Sequence, residues 1–323
     1  MVNVARAAAS LPSLALSRGS LDRHGELRGD PGLLASLLDD PTTRVLELVD
    51  GRTAVTEEDG GRVRLGYRSP VPEDRDRFTA YLGHAPTGGA AYVLSVAHDG
   101  SATGGTSAPG GDAPQRQGLR GVGARLDDLD AGVLTTATGL ANWHGRHGFC
   151  PLCGSPTTPA QSGWIRVCPA DGSEHYPRTD PAVIMSVVDE NDRLLLARGV
   201  GFAAQGMSVL AGFVEPGESL SAAVAREVHE EVGVRVTDVT YLGDQPWPFP
   251  SSLMIGFTAR AVSTELVLQQ DEIEEARWFE REELARAVAD GSLRISGRIS
   301  IARRLIEHWY GEELDAPEAS LRA

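Results

Sequence analysis

The chain has no lysine: all 30 basic residues among its 323 are arginine, set against 45 acidic residues for a formal net charge of -15. That balance excludes a broad cationic surface for polynucleotides, although a local arginine cluster can still hold phosphate through its planar fork. Cysteine is nearly absent as well. Cys150, Cys153 and Cys168 are the only three, and they fall within nineteen positions. An odd, clustered set excludes a disulfide framework and suits a metal site in a reducing compartment. No apolar run approaches the ~18 residues a membrane span needs. The first twenty residues are interrupted by Arg6, Pro12 and Arg18, which speaks against a leader, so a cytoplasmic protein with no membrane partner is expected.

A length of 323 residues with 41% hydrophobic content fits several modules better than one. Residues 1–125 read as an N-terminal mixed α/β domain, with apolar runs at Arg44–Val49 and Ala91–Ala97. Within it, 98–117 is rich in Gly, Ser, Ala and Asp and predicts a flexible loop. Residues 126–147 recover helical spacing and form a connecting helix, and 148–180 carry the cysteines. A catalytic α/β domain follows over 181–312, with strands at Ala182–Val188 and Arg193–Ala197 and a helix near Ser219–Val232. Residues 313–323 remain as a tail.

The chemistry concentrates between Gly212 and Val234. Glu227, Glu230 and Glu231 stand at i, i+3 and i+4, so three carboxylates share one helix face about a turn apart. Oxygen donors at that density suit Mg²⁺ or Mn²⁺, which keep water ligands and complete their octahedra with substrate phosphates. A metal so placed neutralises phosphate oxygens and lowers the pKa of a bound water. Gly212 and Gly217 allow a tight turn before the helix, and Arg226 can pair with Glu218 across it. An exposed acidic helix face is the plain alternative, but it leaves the fixed offsets of Gly212, Glu218 and Arg226 unexplained. His144, His147 and His229 have no partner spacing and read as structural or solvated.

Further on, Gln245-Pro246-Trp247-Pro248-Phe249-Pro250-Ser251-Ser252 interleaves three prolines with two aromatics. The segment is stiff and extended, and it serves either as a wall for a flat heterocycle or as rigid core packing.

The stretch Gly212 to Val234 matches each specified position of the Nudix box: Gly212, Glu218, Arg226, Glu227, apolar Val228, Glu230, Glu231, Gly233 and apolar Val234. The proline-aromatic segment is similar to the signature of the NADH pyrophosphatase branch, the bacterial NudC-like enzymes, with Asp244 in place of the leading Ser. The resemblance implies a Nudix α/β/α sandwich preceded by a small zinc ribbon. It further implies hydrolysis of the pyrophosphate of NADH and NAD to nicotinamide mononucleotide and AMP, removal of 5′ NAD caps from RNA by the same chemistry, and a homodimer. Carried over by position, Glu227, Glu230, Glu231 and Glu275 would hold Mg²⁺ or Mn²⁺. Tyr176 and Phe213 would stack on nicotinamide; Gln245, Trp247, Ser252 and Met254 would line the pocket; and Ala302 would lie near the pyrophosphate.

One departure stands out. The branch closes its ribbon with two Cys-X-X-Cys pairs, whereas the second pair here reads Cys168-Pro-Ala-Asp171. Cys150, Cys153 and Cys168 then need Asp171 or His175 to complete one tetrahedral structural Zn²⁺ per chain, the alternative being a ribbon that has lost its metal. Two other functions fit the same pattern less well. An ADP-ribose or other nucleoside diphosphate hydrolase leaves Gln245–Pro250 unexplained, and a dinucleotide sensor without hydrolysis would carry a degenerate box.

Overall fold

The structure, a computed structural model, describes residues 10–12, 14–86, 88–98, 115–318 and 321. The chain forms two compact units. One comprises Arg18–Thr179 and Pro248–Ser251; the other takes Asp180–Trp247 and the chain from Ser252 on, together with the described residues before Arg18.

The first unit contains α1 (Leu33–Asp39), β1 (Arg44–Val49), β2 (Thr53–Glu57), β3 (Val63–Leu65), β4 (Tyr67–Arg68), β5 (Phe78–His84), β6 (Ala91–Ala97) and β7 (Arg116–Gln117). A sheet of order β4-β1-β6-β5 pairs β1 and β6 in parallel, and β3-β2-β7 forms a second. After α2 (Leu119–Val122), the helix α3 (Asp128–Arg146) starts where the Asp127 side chain accepts the N–H of Asp130. Asp130 is itself buried and accepts from Leu65 N–H at 2.9 Å and Tyr67 O–H at 2.5 Å, which ties the helix to β3 and β4. His144 stacks on Phe78 and bonds to the Gly163 carbonyl, and burial lowers its pKa to about 4, so it is a neutral structural residue. The ribbon is a meander of β8 (Thr158–Ala160), β9 (Ile165–Val167) and β10 (Glu174–His175).

The second unit has one six-stranded sheet between two helical layers. Its strands are β11 (Asp180–Val188), β12 (Leu194–Gly199), β13 (Leu210–Phe213), β14 (Val236–Trp247), β15 (Ser252–Ala261) and β16 (Ile273–Phe279). They run β14-β15-β11-β12-β16, with β13 also paired to β11. β11 is apolar without alternation from Ala182 to Val188, apart from Ser186, as a central strand covered on both faces must be. On one face, Val183, Met185 and Phe257 meet Ala223, Val224, Val228 and Val232 of α4 (Leu220–Val232). On the other, Ile184 and Leu196 meet α5 (Arg281–Ala289) and α6 (Ile301–Tyr310) through Leu284, Ile301 and Leu305.

Three segments fall elsewhere than the composition of the chain suggests. Leu11 and Leu14 belong to the core of the second unit and not to an N-terminal domain, because Leu11 N–H bonds to the Leu242 carbonyl and both side chains bury beside Ile301. Leu314 and Ala316 also enter that core, so the C-terminal segment is not a free tail. The helix α3 packs within the first unit instead of standing as a connector. Of the expected 98–117 loop, 99–114 lie outside the described residues, and Arg116–Gln117 form a strand against Thr53 and Ala54. No helix among the described residues is long and apolar enough to cross a membrane.

The C-terminal segment is anchored by a buried ion pair. Arg303, fully buried on α6, donates to Glu307 at 2.6 Å and to the carbonyl of Leu314, while Leu314 N–H donates to Glu307 at 3.2 Å. Replacing Arg303 by Met leaves Glu307 without that guanidinium in an apolar core. Arg303→Met is expected to cost about 3–5 kcal/mol in denaturant unfolding, and the Arg303→Met, Glu307→Gln double variant to recover part of it. Additive losses in the two single variants would show that the pair is not coupled.

Candidate active site

The helix α4 is set by its ends. Ser219 Oγ accepts the N–H of Ala222 at 3.2 Å, and Gly233, at φ 74°, supplies the left-handed stop. Between them Val224, Val228 and Val232 repeat every four residues into the core. Ala223, Glu227 and Glu231 form the adjoining column, and that position buries the two carboxylates. The turn before the helix is held by Arg226, which donates to Glu218 at 2.6 and 3.1 Å, to the Phe213 carbonyl at 2.9 Å, and to Glu227 and Glu230 at 2.9 Å each. Glu218 also accepts the N–H of Glu215 at 2.8 Å. Hydrogen bonding to Arg226 lowers the Glu218 pKa, and Glu218, as the first of its partners, keeps Arg226 charged. Gly212 is required by contact: a Cβ there would overlap the Glu227 carboxylate.

Glu231 carries the strongest electrostatic signature. Burial raises its pKa to about 8, and the charges of Glu227, Glu272 and Glu230 add to the shift. Burial likewise raises Glu227. One oxygen of Glu231 is buried with no hydrogen-bond partner among the described residues. A buried, unpartnered carboxylate oxygen beside three further carboxylates is a site that a divalent cation fits, because the cation offsets both desolvation and repulsion.

The fourth carboxylate is not the one the sequence motif points to. Glu275 pairs with Arg198 at 3.2 Å, and in β16 it alternates with Ala276 and Trp278, which pack on the α4 side. It therefore lies on the opposite face from the glutamate helix. Glu272 takes the place beside Glu227 and Glu231, since Gln269 N–H bonds to the Glu231 carbonyl at 3.1 Å and Val267 N–H to Val232 at 3.0 Å. Those two bonds strap the segment before β16 to the end of α4. An identical residue type three positions away, on a strand whose start is fixed by tertiary contacts, gives no local signal for choosing between the two.

The residues matched to substrate binding lie on the other face of the sheet. Phe213 pairs with Ala182, Ala182 with Met254, and Met254 with Gln245, so one row crosses four strands. Phe213 is 60% exposed and free to stack, and Met254 is half-buried against the α6 side. Gln245 differs from expectation: it is fully buried, accepts Leu16 N–H at 3.4 Å and donates to the Ile299 carbonyl at 2.9 Å, so its amide is committed to backbone. Ala302 is buried at the start of α6, its N–H capped by Ser300 Oγ at 3.2 Å. Trp247 and Ser252 are half-buried and face each other across β14 and β15.

In the first unit, the ribbon brings together one atom each of Cys150, Cys153, Cys168 and Asp171 within 4.8 Å. Two turns of like sequence build it, Cys150-Pro-Leu-Cys153-Gly154-Ser155 and Cys168-Pro-Ala-Asp171-Gly172-Ser173. Each closes with the same pair of backbone bonds, Gly154 to Cys150 and Cys150 to Ser155 in one, Gly172 to Cys168 and Cys168 to Ser173 in the other. Both glycines sit at φ 74°, a conformation that favours glycine. Asp171 thus takes the place in the second turn that Cys153 takes in the first, and its pKa is lowered, first by the hydrogen bond from Ser173. His175 is outside the cluster and faces Ser173 Oγ at 3.1 Å. Tyr176, on the same ribbon, is 64% exposed.

Comparison with known proteins places the chain in a family. Residues 178–296 match the family described as NUDIX domain, and 146–176 match the NADH pyrophosphatase zinc ribbon domain. The NAD-capped RNA hydrolase NudC of Mycobacterium bovis is 41% identical over 303 residues, which are 91% of this chain and 94% of that protein. The chain belongs to the Nudix hydrolases, in the NudC family. Human NAD-capped RNA hydrolase NUDT12 is 43% identical to this NudC family member over 197 residues, 57% of this chain and 43% of that one. Among solved structures, a NUDIX hydrolase from Nitrosomonas europaea aligns with 51% of the chain and 94% of its own at a TM-score of 0.40 and 21% identity.

The raised pKa of Glu231 has a direct consequence for the metal-free NudC fold. Below about pH 4.5 the carboxyl is protonated folded and unfolded, and it contributes nothing to pH dependence. As pH rises toward about 8 the unfolded chain releases the proton first, so folded-state stability falls across that window. With chelator present, wild type is expected to lose thermal stability relative to Glu231→Gln between pH 5 and 8, and divalent cation to restore it. A constant difference between the two proteins across that range would contradict the assignment.

Proposed function

We propose that this chain hydrolyses the pyrophosphate of NADH and NAD to nicotinamide mononucleotide and AMP, and removes NAD caps from RNA 5′ ends by the same reaction. The observation that carries the reading is the buried glutamate column on α4 in a chain aligned over 91% of its length with a protein named NAD-capped RNA hydrolase.

Glu227, Glu230, Glu231 and Glu272 are the residues that would hold Mg²⁺ or Mn²⁺. A cation held there would supply charge to offset the phosphate oxygens and would lower the pKa of a water for in-line attack. The chain's own groups do the rest. Arg226 and Glu218 fix the turn so that Glu227 stays against Gly212. Glu231, buried with one oxygen lacking a hydrogen-bond partner among the described residues, is the carboxylate whose burial and crowding a bound cation would relieve most. Phe213 and Tyr176 are each exposed aromatics, and they are the proposed nicotinamide-stacking residues. Trp247, Ser252 and Met254 are the proposed pocket lining, Ala302 stands near the pyrophosphate, and Gln245 acts by holding Leu16 and Ile299.

Cys150, Cys153, Cys168 and Asp171 would hold one structural Zn²⁺. A homodimer belongs to the same proposal: Phe149 and Leu152 are 69% and 77% exposed on the ribbon, surface that an assembly would cover. A cytoplasmic location belongs to the same proposal, supported by a cysteine set suited to metal in a reducing compartment.

Products from NADH, NAD, ADP-ribose and NAD-capped RNA, identified by mass with each metal, test the assignment. Glu231→Gln is expected to lower turnover about 10²-fold or more while substrate binding persists. Phe213→Ala and Tyr176→Ala are expected to lower kcat/KM for NADH roughly tenfold or more and to spare ADP-ribose, which has no nicotinamide ring. Equal losses on both substrates would favour an ADP-ribose hydrolase whose aromatics only support the fold. For the ribbon, purified protein should contain one zinc per chain. Asp171→Ala should lose it and His175→Ala keep it; the reverse pattern would move the fourth ligand to His175.

A further inference from the structure

A groove of about 430 Å³ in the first unit takes no part in the chemistry above. Its walls are Arg28–Pro31 on one side, Arg77–Thr79 of β5 on another, and Pro159–Gly163 of the ribbon on the third. The ribbon wall is rigidly seated. Ser162 Oγ donates to the Arg28 carbonyl at 3.3 Å, Trp164 Nε1 donates to the Tyr81 carbonyl at 2.6 Å, and a Cβ on Gly163 would strike the backbone of Ala80. Gln161, Ser162 and Gly163 all take left-handed backbone angles, at φ 46°, 51° and 87°. Two of these are not glycine, so the turn is strained and held by its surroundings.

Arg28 is the unusual residue here. Its guanidinium carbon lies over the Trp164 ring, 3.5 Å from the centroid, with that of Arg23 over the same ring at 5.8 Å. Among the described residues no carboxylate lies within ion-pair distance of Arg28, and its Nε is buried without a hydrogen-bond partner. Burial, and next the charge of Arg23, lowers its pKa, whereas Arg68, held by Asp74, is raised. In a chain with 45 acidic residues, a half-buried arginine left without an acidic partner is a prepared anion site. Arg77 adds a second guanidinium, of which Nη1 is engaged by Glu47 at 2.7 Å. Asp30, exposed and lining the same groove, accepts Gly32 N–H through one oxygen at 2.8 Å.

We propose that this groove binds one ribonucleotide of a single-stranded RNA chain, with its phosphate on Arg28, as a subsite for the body of a 5′-capped substrate. Two guanidiniums, those of Arg28 and Arg77, line the groove together, a donor set that suits the phosphate of a nucleotide. A fork held over an indole keeps its donors aimed at phosphate oxygens, and Asp30 offers an acceptor for a ribose hydroxyl. The RNA assignment rests on the cap-removal reading; the anion chemistry of the groove does not.

The test measures binding of an uncapped, 5′-hydroxyl oligoribonucleotide by fluorescence anisotropy across a salt series, for wild type, Arg28→Gln and Arg28→Lys, with turnover of NADH and of NAD-capped RNA in parallel. Arg28→Gln is expected to weaken oligonucleotide binding roughly tenfold to a hundredfold and to reduce the logarithmic salt slope by about 0.7 for one phosphate. Arg28→Lys should recover part of both. Turnover of NADH should stay at the wild-type value, while kcat/KM for capped RNA falls with the binding. Equal affinity of Arg28→Gln and wild type would overturn the proposal. AMP binding as tightly as the oligonucleotide, with the same dependence on Arg28, would make this a mononucleotide site and equally sink it. Oligonucleotide binding through Arg28 in a protein that cleaves neither NADH nor capped RNA would leave the groove standing and remove the functional reading instead.

Discussion

Like-charge repulsion is the constraint around which the catalytic unit is arranged. Four carboxylates converge at one end of α4, and two of them are buried. Left alone, such a group would turn its side chains outward or melt the last turn of the helix. Arg226 prevents this by donating to Glu218, Glu227, Glu230 and the Phe213 carbonyl together. One guanidinium thereby fixes the preceding turn, the edge strand and two members of the cluster. Lysine, with a single point charge, could not span those directions, so the absence of lysine from the chain is matched here by a site that needs a fork.

The central sheet divides the work between its faces. The α4 face holds charge and the α6 face holds the exposed aromatic and the polar ties of β14, with β11 buried between them. The core beneath the second face is completed by Leu11 and Leu14 from one end of the chain and by Leu314 and Ala316 from the other. Both ends therefore contribute to the rigidity of the sheet that carries Phe213 and Met254. The ribbon follows a different logic, since so few residues cannot bury a core and two matched turns converge on a metal-sized cluster instead.

Much of this was legible in the sequence, for identifiable reasons. The strands at 44–49 and 91–97 appear where continuous apolar runs are bounded by turn residues, and α4 begins at the Ser219 cap. The glutamate cluster was legible because helical spacing alone places i, i+3 and i+4 together. What failed required knowledge of tertiary contacts. Glu275 and Glu272 are indistinguishable by type, and only the bonds from Val267 and Gln269 to α4 decide between them. Gln245 sits in a segment whose composition fits a pocket wall, yet its amide bonds to backbone 229 and 54 positions away in the chain. That Leu11 and Leu314 join the core of the second unit depends on tertiary contacts such as the bond from Leu11 N–H to the Leu242 carbonyl, which short apolar segments do not announce.

Gly212 and Phe213 are consecutive on β13, yet they serve opposite faces: the first makes room for Glu227, and the second presents a ring on the far side. Strand geometry makes this alternation obligatory. The two halves of the site are therefore locked in phase. A single-residue insertion or deletion ahead of Gly212 that slid β13 along β11 would put the bulky ring against the carboxylates and the glycine under open solvent, disabling both functions at once. Loops on either side of the strand can change length without this effect only where the change is absorbed outside the paired residues Leu210–Phe213.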